Sequence, residues 1–198
     1  MKTILTTVVG VLGLLFVTSS YAEYNVDLPA PFQGSSAPVK HQARVASSER
    51  GYTSDELETN PGFPETRSPG SKVVIVDPKM HAWGAYNEEG QLVKFGRAST
   101  GANYCPDIHR ACHTPVGQFA VMSKGGADCK STRYPVGKGG APMPYCMYFT
   151  TNFALHGSYE VPPNRNASHG CVRMIPDSAE WLYENFVSVG THVIIRPY

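Results

Sequence analysis

The chain lacks the charge excess that would steer it to a polyanion. In 198 residues, 17 Lys and Arg stand against 16 Asp and Glu, a formal net charge of +1, which argues against a basic nucleic-acid binder and names no other partner. It also lacks an apolar run long enough to span a bilayer: Thr3 to Val17 falls short of the roughly 20 residues required. With Lys2 before that run and Thr18 to Ala22 after it, ending in Ser20-Tyr21-Ala22, residues 1–22 read as a secretory signal peptide cleaved after Ala22, leaving no membrane span. No cysteine follows the run, so a lipid anchor is not indicated. There is no internal repeat and hence no tandem module. A phosphate-cradling loop is missing too: Lys124-Gly125-Gly126 and Gly137-Lys138-Gly139-Gly140 lack its fixed spacing and read as mobile loops.

What is present begins with a leader. Residues 23–70 are rich in Pro, Ser, Gly and charge without a sustained apolar period, so they predict a flexible leader or linker. The compact domain is expected over 71–198. Lys72 to Val76 is a β-branched run ending at the turn signal Asp77-Pro78; Met80 to Tyr86 and Gln91 to Ala98 read as hairpin-linked strands around a turn at Asn87 to Gly90. Further strands are expected at Gly117 to Ser123, Tyr145 to Thr150 and Phe153 to Leu155, and a last one at Thr191 to Arg196. One helix is predicted after residue 175, with Asp177 as N-cap acid and Glu180 completing a capping box. Leu182, Phe186 and Val189 supply its apolar stripe, and Gly190 ends it. The fold class is β-rich α+β, a mixed β-sheet sandwich or barrel with one main helix.

Five cysteines, Cys105, Cys112, Cys129, Cys146 and Cys171, in a chain read as exported mean pairs plus one remainder. A thiol left free in an oxidising compartment suggests that its reactivity is used. The informative stretch is Leu155-His156-Gly157-Ser158 followed by Ser168-His169-Gly170-Cys171-Val172-Arg173-Met174. It supplies a nucleophile, two candidate bases, a cation and flanking glycines. At its ordinary pKa only a few per cent of a thiol is ionised at neutral pH, so an adjacent imidazole or cation is needed for attack. Gly170 removes a side chain where a substrate backbone must approach, and neighbouring amides can converge on an oxyanion.

This pattern, His156-Gly157 and then Ser168-His169-Gly170-Cys171-Val172-Arg173, resembles the active-site signature of the L,D-transpeptidase catalytic domain, also called the YkuD domain. Ser99-Thr100-Gly101, Thr114-Pro115-Val116-Gly117-Gln118-Phe119 and Met143-Pro144-Tyr145 resemble further stretches of that family in the same order, so the likeness runs roughly from Lys72 to Pro197. The resemblance implies that Cys171 attacks the third-residue carbonyl of a peptidoglycan stem tetrapeptide and expels the terminal D-alanine. It implies that His156 is the base, oriented by the Gly157 carbonyl, with the amides of Gly170 and Cys171 as oxyanion hole. Arg173 would bind a donor carboxylate, Ser168 and His169 would shape the site, and Tyr148 would line it. An amine from a second stem, or an envelope protein, would accept the acyl group; water would instead make a carboxypeptidase or hydrolase. No cofactor is expected, and the location implied is the periplasm or cell envelope. A non-catalytic host-interaction protein on the same scaffold is the rival from another class, disfavoured by the intact Cys171, His156 and Arg173.

Against the simplest form of that family, four cysteines are extra. Nearness in sequence favours Cys105 with Cys112, leaving Cys129 with Cys146, one of three possible connectivities. Cys105, His109, Cys112 and His113 also offer ligands at metal-binding spacing. Export and the even count favour disulfides, so no metal is expected.

Overall fold

The structure, a computed structural model, describes residues 57–198. The expected signal peptide and residues 23–56 of the expected leader lie outside the described residues. Nine strands follow one another as β1 (Val73–Asp77), β2 (Ala82–Tyr86), β3 (Leu92–Ser99), β4 (Gly117–Ala120), β5 (Ser123–Lys124), β6 (Met147–Tyr148), β7 (Ala154–Gly157), β8 (Val172–Met174) and β9 (His192–Ile195). They form one mixed sheet in the order β4-β9-β1-β2-β3-β8-β7-β6-β5. With one helix, α1 (Pro176–Trp181), after Cys171, the domain is a mostly β half-barrel. No helix among the described residues is long and apolar enough to cross a membrane.

β1 sits inside the sheet, and its all-apolar run is explained by burial on both faces. Val74 and Val76 enter the main core with Trp83 and Ala85 of β2, while Val73 and Ile75 face a second cluster with Ala82 and Tyr86. Its end is fixed by Asp77, whose Oδ1 accepts the amides of Lys79 and Met80 at 2.9 and 3.1 Å, an Asx turn. The pair β7 and β8 runs parallel, with Leu155 opposite Val172, His156 opposite Arg173 and Gly157 opposite Met174.

Packing begins upstream of Ser71. Asn60 Oδ1 accepts the amides of Gly62 and Phe63, and the turn this makes places Phe63, 3% exposed, against Val73, Ile75 and Tyr86. Tyr86 donates its hydroxyl to the Pro64 carbonyl at 2.8 Å. Leu92 N–H donates to Glu65 O, and Arg67 N–H to Gly90 O. The last third of the expected linker is therefore part of the packed domain: a single aromatic and main-chain pairing hold it, and neither leaves an apolar period.

The helix corrects the expected cap. Pro176 occupies the first turn and Ile175 the N-cap, with no side-chain cap bond. Proline lacks the amide that a cap would satisfy and its φ is preset for a helix, so the helix starts there and Asp177 falls inside the first turn, where it still faces the positive end of the dipole. Glu180 does not turn back to the chain start but accepts the Tyr145 hydroxyl at 2.6 Å. Ala179, Leu182 and Phe186 enter the core. The last turn widens to a π-helical one over Leu182–Phe186, with Val187 N–H donating to Leu182 O at 2.7 Å. The stripe therefore ends before Val189, which is 64% exposed, and Gly190 serves the following turn rather than the helix end. Lys124 Nζ donates to the carbonyls of Tyr183 and Val187, satisfying acceptors that a helix end leaves open.

Candidate active site

Strand alternation sorts the signature residues by face. In β7 and β8, Leu155, Val172 and Met174 go into the main core. Ala154, His156, Cys171 and Arg173 then share the opposite face. That face opens into a cavity of about 920 Å³, lined among others by Tyr148, His156, Ser168, His169, Cys171 and Arg173.

His156 is buried, and its Nδ1 lies 2.8 Å from Gly157 O. A carbonyl oxygen can only accept, so Nδ1 carries the proton and Nε2 keeps the lone pair. Burial, with a smaller push from the Arg173 charge, brings this imidazole down to about 4 against the opposing bond to Gly157. Cys171 is the free cysteine. Burial raises its thiol above the ordinary value, opposed by the Ala154 backbone and by Arg173. Both groups are accordingly neutral at pH 7, the imidazole without a second proton and the thiol with its own.

Gly170 and Cys171 form a turn held from within. Ser168, 2% exposed, accepts the Gly170 amide on its Oγ at 2.9 Å and donates to the Cys171 carbonyl. From outside, Thr114 Oγ1 donates to Gly170 O at 2.7 Å while accepting the Gly101 amide at 3.0 Å. Ser168 N–H donates to Thr100 O and Ser168 O accepts from Ala102 N–H. Through these bonds the Ser99-Thr100-Gly101 stretch at the end of β3 and Thr114 ahead of β4 hold the turn that carries Cys171. They also correct one expectation, because the Gly170 amide is engaged by Ser168 Oγ and is not an open oxyanion donor. Gly170 has φ 121°, and a Cβ there would stand 2.3 Å from the Phe153 ring. Gly170→Ala should lower stability by about 1–3 kcal/mol through strain in that region alone, with the ring clash adding to it. Thermal unfolding reads this directly, and an unchanged midpoint would show that the turn relaxes freely.

The remaining signature residues separate in role. His169 Nε2 donates to the Asp107 carboxylate at 2.8 and 2.9 Å, and its ring lies 4.2 Å from that of Tyr134. The bond from His169 holds the Asp107 carboxyl below its usual range. Arg173 Nη1 is 3.6 Å from Glu160 Oε2, at the exposed rim, and burial lowers its pKa from the ordinary guanidinium value. Tyr148 is half-buried, and burial with the nearby Cys171 raises its hydroxyl. Sequence reading missed Asp107, Tyr134 and Thr114 as partners. They lie 62, 35 and 56 positions from the groups they touch, too far for any spacing rule.

Disulfides join Cys105 to Cys112 and Cys129 to Cys146, the expected pairing. The ligand atoms of Cys105, Cys112 and His169 lie within 4.8 Å of one another, but both sulfurs are committed to the bridge. The other residues of the metal alternative turn elsewhere: His113 Nε2 meets Asn103 Oδ1 and its ring stacks on Tyr198, and His109 lies near the Tyr104 hydroxyl. Lys124-Gly125-Gly126 is packed. Gly125 N–H donates to Cys146 O, and a Cβ on Gly125 would stand 2.7 Å from Cys146 Sγ, which explains the glycine by disulfide contact.

A family model for the L,D-transpeptidase catalytic domain (YkuD) matches residues 71–195. The chain belongs to that family. A solved L,D-transpeptidase from Xylanimonas cellulosilytica is 31% identical, with a TM-score of 0.56 over 68% of this chain and 64% of that one. An L,D-transpeptidase from Mycobacterium smegmatis is 23% identical, with a TM-score of 0.52 over 64% of this chain and 58% of its own. L,D-transpeptidase 3 from Mycobacterium tuberculosis, in complex with a faropenem-derived adduct, is 23% identical, with a TM-score of 0.50 over 64% of this chain and 60% of its own. This L,D-transpeptidase-family chain thus spans less than two thirds of the length of those structures. No curated protein matches it.

Proposed function

We propose that this chain is an exported cysteine acyltransferase of the bacterial cell wall, working in the periplasm or envelope without a metal or organic cofactor. The observation that carries the reading is a single free sulfur among four paired ones, on the same sheet face as an imidazole whose Nδ1 is pinned by Gly157. As the Cys171 sulfur attacks the third-residue carbonyl of a stem tetrapeptide, its proton passes to His156 Nε2. A carbon–sulfur bond forms, and the oxyanion is held by the Cys171 amide. The carbon–nitrogen bond then breaks, His156 returns the proton to the departing amine, and D-alanine leaves. A thioester remains. An amine from another stem displaces the sulfur, forming a new amide and restoring the thiol. Because thiol and imidazole start neutral, proton transfer accompanies attack instead of preceding it.

Arg173 would pair with a donor carboxylate, trading its long contact with the exposed Glu160 for a closer one. Ser168 and His169 act by shaping the turn, and Tyr148 lines the cleft. Export is supported by the pattern of residues 1–22 and by the two disulfides.

The direct test is to incubate the protein lacking residues 1–22 with purified tetrapeptide muropeptides. Release of D-alanine with crosslinked dimers is expected. Trimmed tripeptides without dimers would assign water as acceptor, and absence of both products would overturn the reading.

A further inference from the structure

We infer that Arg110 and Arg133 form a second carboxylate-binding subsite for an acidic peptide, in the cavity that Arg173 also lines. This rests on the proposed reaction and says how its substrates are recognised. Both arginines line the cavity of the active site. They arrive from different places: Arg110 lies inside the loop closed by Cys105–Cys112, and Arg133 inside the loop closed by Cys129–Cys146.

Both side chains are exposed, and among the described residues neither guanidinium has a carboxylate partner. Two acids nearby are already taken, Asp107 by His169 and Glu160 by Arg173. By contrast Arg196, on the sheet, pairs with Asp77 at 3.1 Å. Unpaired guanidinium groups facing a cleft raise the local concentration of an anionic ligand and bind carboxylates through two parallel hydrogen bonds.

The backbone that presents them is held in place. Cys105 N–H donates to Arg110 O at 2.8 Å, and Arg133 N–H to Ser131 Oγ at 3.1 Å. His169 ties the two loops together, bonded to Asp107 in the first and packed on Tyr134 in the second. A ligand therefore meets cations on ordered loops and less main-chain order has to be acquired on binding. The chemistry that fits is a peptide carrying free carboxylates beyond the one assigned to Arg173. A donor stem and an acceptor stem both qualify, and the test separates them.

The full chain lacking residues 1–22 and carrying Cys171→Ala, which cannot turn over, is titrated calorimetrically with the tetrapeptide and with its carboxyl-amidated form. Adding Arg110→Gln and Arg133→Gln together is expected to weaken the acidic peptide about tenfold at low salt and much less at high salt. The amidated peptide should not respond. That outcome assigns the subsite to the donor. If donor affinity is unchanged, transfer in the Cys171-intact double variant is compared between an acidic and an amidated amine acceptor; selective loss of the acidic one assigns the acceptor. Iodoacetamide labelling of Cys171 in that variant should keep the wild-type rate. No change with either peptide, or a matching loss of labelling, overturns the inference. Failure of the proposed reaction reads differently, as no D-alanine released by the protein with all three residues intact.

Discussion

Cys171→Ala is expected to abolish D-alanine release, by at least about a thousandfold, while the protein stays folded. A covalent route loses its whole first step with the nucleophile, and no second thiol is available because the other cysteines are bridged. The fold should tolerate the change. Cys171 is only partly buried and packs at the edge of a small cluster with Met143, Cys146 and Ala154, so loss of one sulfur should cost about 1 kcal/mol. Far-ultraviolet dichroism and thermal unfolding of the variant would establish this. Intact-mass spectrometry after treatment with a β-lactam should find an adduct on the wild-type protein and none on Cys171→Ala. Turnover that survives the substitution, or an adduct mapped to another side chain, would remove the basis for the enzymatic reading.

The parts of this site that sequence discloses are those set by local pattern. His156 and Cys171 stand in contiguous stretches, and once both stretches are strands, two-residue alternation dictates that 154 and 156 share a face, as do 171 and 173. The four bridged cysteines are legible for a similar reason, since Cys105 and Cys112 are only 7 positions apart. What escapes is set by tertiary contact. Asp107 is an acid in a loop until the fold brings His169 to it, and Phe63 reads as one apolar residue in a polar leader until the face formed by Val73 and Ile75 needs covering. The engagement of the Gly170 amide escapes for a subtler reason: glycine flexibility at 170 is visible, but the fate of its amide depends on Ser168 turning its hydroxyl inward. The helix cap fails because Pro176 outweighs Asp177 as a start signal, and because the Tyr145 hydroxyl claims Glu180.

From neutrality down to pH 4, His156 should make the folded protein progressively less stable, by about 3 kcal/mol in all. In the unfolded chain this imidazole titrates near its ordinary value of 6.5, whereas in the fold burial holds it at about 4. Between those values the unfolded state binds a proton that the folded state refuses, so stability rises with pH across the window and falls on acidification. Urea denaturation at pH 7 and near pH 4 measures the difference. His156→Gln keeps a donor for the Gly157 carbonyl without titrating, so the variant should lose about that much of the pH dependence, leaving the part due to carboxylates. Catalysis should follow the same group with the opposite reading of its charge, since only neutral His156 can accept the thiol proton. The acid limb of kcat/KM is then expected near pH 4, well below an ordinary histidine. Above it the rate should stay level through neutrality, because burial also raises the Cys171 thiol and keeps it protonated there. An acid limb near 6.5, or equal pH slopes of stability in the wild type and His156→Gln, would mean that the imidazole is hydrated in solution and that a neutral pair is not the resting state.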